Sequence, residues 1–184
     1  MTGGDRDRLR SLLRSRSVRT GAFVLASGAR STYYVDARVT TMSGAGQLLI
    51  GRMGLQALDA ADWRPVALGG LTLGADPVAC AIAHAAAAAG RELNAFTVRK
   101  EPKGHGTGRR IEGAFETGGE VVVVEDVVTT GESALRAIQV VEESGGRVIG
   151  VLSVVDREDT GRERLERAGY PLISLFTGSD LLRD

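Results

Sequence analysis

Four consecutive valines, Val121–Val124, run into Glu125-Asp126-Val127-Val128 and the turn Thr129-Thr130-Gly131-Glu132-Ser133, and this stretch constrains the chain more than any other. An unbroken β-branched run marks a strand buried on both faces, the kind found in parallel sheets covered by helices on either side. From Ser133 onward the period changes, with Leu135, Ile138 and Val141 recurring at helical spacing. The acidic pair and the Thr/Gly turn therefore fall where a strand hands over to a helix, and in an open parallel sheet that is where ligands bind.

The same alternation extends along the chain. The spacing predicts helices over 5–16, 46–60, 77–89, 133–144 and 162–168, and strands over 66–68, 93–98, 121–124, 147–155 and 172–176. Phe23 to Val35 reads as a hairpin turning at 27–30, and 99–120 as a long polar loop. The expected fold is α/β: a Rossmann-like parallel sheet with helices on both faces. The 184 residues form a single domain, 1–184, to which residues 1–45 add a small N-terminal hood of helix and hairpin.

Lysine plus arginine number 23, as do aspartate plus glutamate, so no global field draws the chain to nucleic acid or to an anionic membrane. No apolar run approaches 18 residues and no signal-type start is visible, so a cytoplasmic protein without a membrane partner is expected. The lone Cys80 excludes a disulfide and a thiolate metal site and reads as a small core residue. His84, in an alanine-rich helical stretch, reads as structural.

Three glycine-bearing segments could carry chemistry. The turn at 125–133 has no lysine after its glycine and no G-x-G-x-x-G, which excludes a P-loop and a dinucleotide fingerprint. What remains is a run of backbone N–H groups at a helix N-terminus, a nest suited to a phosphate monoester. Glu125 and Asp126 would repel that phosphate but can accept hydrogen bonds from vicinal sugar hydroxyls. The second segment, Gly69 to Pro77, puts Asp76 and Pro77 where an N-cap and first helical residue are favoured. The third, Arg99 to Arg110, is basic, glycine-rich and long enough to act as a lid over an anionic leaving group.

Together these segments resemble the type I phosphoribosyltransferases, whose shared motif is a hydrophobic strand, two acidic residues and a Thr/Gly/Ser turn. Within them the chain is similar to the orotate phosphoribosyltransferases. VRKEPKGHGTGRRIEG (98–113) is close to that family's catalytic loop and SGARSTYYVDAR (27–38) to its orotate-side hairpin, while GGLTLGADPVA (69–79) and SVVDRE (153–158) complete the match. The resemblance implies transfer of the 5-phosphoribosyl group from its diphosphate to orotate, giving orotidine 5′-monophosphate and pyrophosphate in pyrimidine biosynthesis. Mg²⁺ would be held mainly by substrate oxygens.

It also implies roles for individual residues. Glu125, Asp126, Val127, Val128, Thr129, Thr130, Gly131, Glu132 and Ser133 would grip the ribose and 5′-phosphate. Arg99, Lys100, Lys103 and His105 would contact pyrophosphate, with the loop over 99–110 reaching the neighbouring site of a homodimer. Thr129 and Arg157 would bind orotate, and Tyr34 would wall its ring. Lys103, His105, Glu125 and Asp126 are the catalytic candidates, and no residue is expected to form a metal site by itself. Ala26 and Leu73 stand where many members carry lysine. The alternatives are a purine-base phosphoribosyltransferase, which needs no arginine for an orotate carboxylate, and a non-catalytic regulator that binds the same sugar diphosphate.

Overall fold

The computed structural model describes residues 3–24, 30–101 and 110–183. Helix α1 (Gly3–Arg16) leads into a two-stranded antiparallel hairpin, β1 (Val18–Val24) and β2 (Arg30–Val35). Two helices follow, α2 (Arg38–Thr41) and α3 (Gly44–Ala60), the second capped by the Ser43 hydroxyl, which accepts from Gly46 N at 3.1 Å. The alternating part comprises β3 (Ala67–Leu71), α4 (Ala75–Ala88), β4 (Asn94–Val98), β5 (Ile111–Gly113) and β6 (Glu120–Val128). It continues with α5 (Glu132–Glu143), β7 (Arg147–Asp156), α6 (Gly161–Arg167), β8 (Leu172–Thr177) and α7 (Gly178–Leu182).

The sheet order is β5-β4-β3-β6-β7-β8, all parallel except β5, which runs antiparallel to β4. The expected α/β sheet is thus present, with helices on both faces. Val122 and Val124 join one core with Leu49 and Ile50 of α3 and Val78 and Ile82 of α4, while Val121 and Val123 join another with Ala137, Ile138 and Val141 of α5. The valine run is buried on both sides because alternate side chains feed opposite cores. Leu9 and Leu13 of α1 are fully buried in the first core, and each contributes about 2 kcal/mol by leaving water. Helix α1 is therefore part of that layer, whereas the hairpin reaches the end of β7: Tyr33 Oη donates to Arg157 O at 3.1 Å.

Four expectations need correction. The 99–120 stretch is not all loop, since β5 pairs Ile111 with Val98 and Gly113 with Phe96. Three residues inside a polar segment carry too little periodicity to mark a strand, and the four- and five-residue helices α2 and α7 escape for the same reason. The acidic pair lies inside β6 rather than beyond it, because Val127 and Val128 still pair with Val155 and Asp156. Cys80 is exposed on the outer face of α4, as is His84 one turn later, so neither packs in the core.

Candidate active site

The strand order reverses direction between β3 and β6. Chain connections leave these two neighbours toward opposite sides, which opens a crevice at their carboxyl ends. A cleft of about 500 Å³ occupies that position. Its walls are Leu71–Gly74 after β3, Glu125–Val127 of β6, Thr129–Thr130 and Glu132–Ser133, Tyr34–Asp36 and Arg38, with Lys100 and Arg157. A smaller recess of about 100 Å³ opens within the turn, lined by Val127–Ala134 and Glu125. Gly131 sits there in the left-handed conformation (φ 73°), and a side chain at this position would meet Gly161 O at 3.1 Å. This lets the backbone N–H groups entering α5 surround a small anion.

Successive side chains on a strand point to opposite faces, so Glu125 and Asp126 border the cleft from the two sides of β6. Glu125 is 5 % exposed and borders both the cleft and the recess, and its Oε1 has no hydrogen-bond partner among the described residues. Burial, reinforced by Asp126 and opposed by Lys100, pushes its carboxyl up to about 8. Asp126 lies against the β3 turn: a Cβ on Gly74 would come within 2.6 Å of its Oδ1. That oxygen accepts from Val127 N at 2.9 Å, and burial raises the Asp126 carboxyl while this bond and Arg38 pull it down.

The opposite wall is basic and aromatic. Arg157 is 7 % exposed; its guanidinium stacks 4.5 Å from the Tyr33 ring centroid, donates from Nη2 to Ser31 Oγ at 3.0 Å, and has Nε 3.7 Å from Asp159 Oδ2. Burial pushes the Tyr33 hydroxyl up, and Arg157 beside it draws it back. Tyr34 is half-exposed on the cleft side of the hairpin, and its ring lies 5.8 Å from Phe23. Arg38 grips Asp36 with two bonds, Nε to Oδ1 at 2.9 Å and Nη2 to Oδ2 at 3.1 Å, which holds the Asp36 carboxyl below its ordinary range.

The structure thus brings together Tyr34, Lys100, Glu125, Asp126, Val127, Thr129, Thr130, Glu132, Ser133 and Arg157 around one cleft, with Val128 and Gly131 in the adjoining recess. Arg99 does not line the cleft; it ion-pairs with Glu112 at 3.4 Å. Lys103 and His105 lie outside the described residues, as does Ala26. Asp76 is not an N-cap, because α4 starts at Ala75 and the Asp76 carboxylate accepts from Thr72 and Thr97. Sequence reasoning missed Asp36, Arg38, Ser31 and Tyr33. A period-two reading of Ser31-Thr32-Tyr33-Tyr34 would have placed Ser31 and Tyr33 on the face opposite Tyr34. Among the described residues no three His, Cys, Asp or Glu side chains form a metal cluster, and no helix is long and apolar enough to cross a membrane.

No protein-family model matches the chain. Curated proteins do: the orotate phosphoribosyltransferase of Aquifex aeolicus is 48 % identical over 97 % of this chain and 98 % of its own length. That of Mycobacterium tuberculosis H37Rv is 48 % identical over 98 % of both. The solved M. tuberculosis H37Rv enzyme in complex with Fe(III) dicitrate superposes with a TM-score of 0.85 at 46 % identity, covering 97 % of this chain and 99 % of that one. The same enzyme in complex with 5-phospho-α-D-ribosyl 1-diphosphate gives a TM-score of 0.81 at 43 % identity, over 96 % and 98 % of the two chains.

Proposed function

The chain belongs to the orotate phosphoribosyltransferase family, and from that premise we propose how its cleft carries out the family's reaction, transfer of a phosphoribosyl group from its diphosphate to orotate. The product is orotidine 5′-monophosphate, a pyrimidine nucleotide precursor, with pyrophosphate released. One observation carries the assignment of parts: an anion nest, a buried carboxylate whose Oε1 has no partner among the described residues and a buried arginine share a single crevice. The arginine is what a purine base would not need, and the near-full-length relatives are named as the enzyme, so the purine-base and regulatory alternatives are set aside.

The 5′-phosphate sits in the recess formed by Val127–Ser133, where backbone N–H groups at the start of α5 neutralise it without a lysine. Asp126, and Glu125 once positive charge beside it draws off its proton, accept hydrogen bonds from the ribose hydroxyls and stabilise positive charge that develops at the anomeric carbon. Arg157, held by Ser31 and Tyr33, offers a fork to the orotate carboxylate, while Thr129 and Tyr34 bound the ring. Lys100, with Lys103, His105 and Arg99 on the loop, serves the departing pyrophosphate, and the loop reaches across a homodimer. The exposed apolar side chains Val39, Met42 and Leu48 supply a surface that dimerisation would cover. Without a protein nucleophile, rate comes from positioning and from charge stabilisation.

Asp126 at the cleft could lend one carboxylate oxygen to a hard cation held mainly by substrate oxygens, since Mg²⁺ favours one or two carboxylates plus phosphates over an all-protein cage. Mg²⁺ would neutralise the leaving group there. The setting proposed is the cytoplasm, where a lone thiol such as Cys80 stays reduced. Purified protein assayed with phosphoribosyl diphosphate, Mg²⁺ and orotate, against adenine, hypoxanthine and uracil, tests the reading. Turnover with orotate alone is expected, and turnover with a purine instead would refute it.

A further inference from the structure

Two hydroxyls from different elements converge on one carboxylate beneath the cleft. Thr72 Oγ1 donates to Asp76 Oδ2 at 2.7 Å, and Thr97 Oγ1 donates to Asp76 Oδ1. Thr72 belongs to the turn that walls the cleft after β3, Thr97 to β4, and Asp76 to the first turn of α4. One side chain therefore ties the turn to the neighbouring strand, with each oxygen committed to a separate donor. The tie matters because the turn has no slack on its other side. Gly74 lies so close to Asp126 that a Cβ would stand 2.6 Å from Oδ1, so a shift of the turn changes what Asp126 meets. Leu73 between them is 66 % exposed and offers the turn no apolar anchor.

We propose that Asp76 is a positioning residue for the sugar diphosphate. It lies outside the residues lining the cleft and sets, through Thr72, where the turn Leu71–Gly74 rests against Asp126. The proposal rests on the phosphoribosyl-transfer reading above. Orotate should be indifferent to it, because Arg157 is anchored independently by Ser31 and Tyr33.

Steady-state kinetics of Asp76→Ala, Asp76→Asn and Thr97→Val test the proposal, with thermal melts as a fold control. For Asp76→Ala the KM for phosphoribosyl diphosphate should rise roughly tenfold, the scale of one hydrogen bond to a charged group. The KM for orotate should stay within about twofold and kcat should fall less than that KM rises. Asparagine keeps an acceptor for one threonine and should restore much of the loss. Thr97→Val, nearly isosteric and outside the cleft lining, should shift the same KM in the same direction by a smaller factor. An unchanged KM for the sugar diphosphate, or equal rises for both substrates, overturns the proposal. If Asp76→Ala does not fold, Asp76→Asn and Thr97→Val decide by the same criteria. If the wild type lacks turnover with orotate, the activity reading fails instead, and calorimetric titration with phosphoribosyl diphosphate still tests Asp76: equal affinity in wild type and variants overturns its role.

Discussion

Replacing Glu125 by glutamine should make the substrate-free protein more stable, and increasingly so as pH rises. The carboxyl is 5 % exposed, its Oε1 has no partner among the described residues, and it is pushed up to about 8 from an ordinary 4.5. Between those values the unfolded chain has released the proton while the folded chain retains it, so stability falls as pH increases. The contribution is fully present below about 4.5 and is lost as pH climbs through about 8. At 1.36 kcal/mol per pH unit the whole interval corresponds to about 5 kcal/mol, of which about 4 falls between pH 5 and pH 9. Glutamine has the shape of the protonated acid and no charge to desolvate. Urea denaturation of wild type and Glu125→Gln at pH 5, 7 and 9 reads the difference directly, since Asp126 and the other titrating groups are common to both. The two proteins should be close at pH 5, with the variant ahead by several kcal/mol at pH 9. A difference that stays constant across the range would refute the buried-acid reasoning. Turnover should move oppositely, because glutamine lacks the ionised acceptor proposed for the ribose.

Three further outcomes are expected. Arg157→Lys keeps the charge but loses the fork, and should raise the orotate KM ten- to a hundredfold, about 1.5–3 kcal/mol, while sparing the KM for phosphoribosyl diphosphate in the same assay. Gly131→Ala places a Cβ on a left-handed residue facing Gly161 O and should lower stability by roughly 1–2 kcal/mol in urea titrations, with weaker binding of the sugar diphosphate by calorimetry. Chelation by EDTA should abolish turnover and added Mg²⁺ restore it, with little change in Tm, because a cation held through substrate oxygens does not stabilise the free protein.

The alternation of apolar runs and helical periods was enough to expect the parallel sheet, because both signals extend over many residues. Strand β5 and helices α2 and α7 were illegible for want of length. The acidic pair misled in a different way: two charges end an apolar run on paper, yet in the sheet their backbone continues to pair with β7. Of the cleft, the β6 turn was readable because its residues are adjacent in sequence. The grip of Ser31 and Tyr33 on Arg157 spans more than 120 positions, and the service of Asp76 to Thr72 and Thr97 replaces a capping role that local spacing favours equally well. Contacts of that kind exist only after the chain has closed on itself.

The crevice between β3 and β6 exists because of the order in which strands are laid down, not because any side chain carves it. Its location is therefore a property of chain connectivity that substitutions leave alone. The groups proposed to face the sugar ride on β6, wedged between two hydrogen-bonded neighbours, while Tyr34 and the partners of Arg157 ride on a hairpin outside the main sheet. If the proposed roles hold, remodelling that peripheral ribbon would alter the surroundings of the incoming base while the strand that carries the sugar groups keeps its pairing.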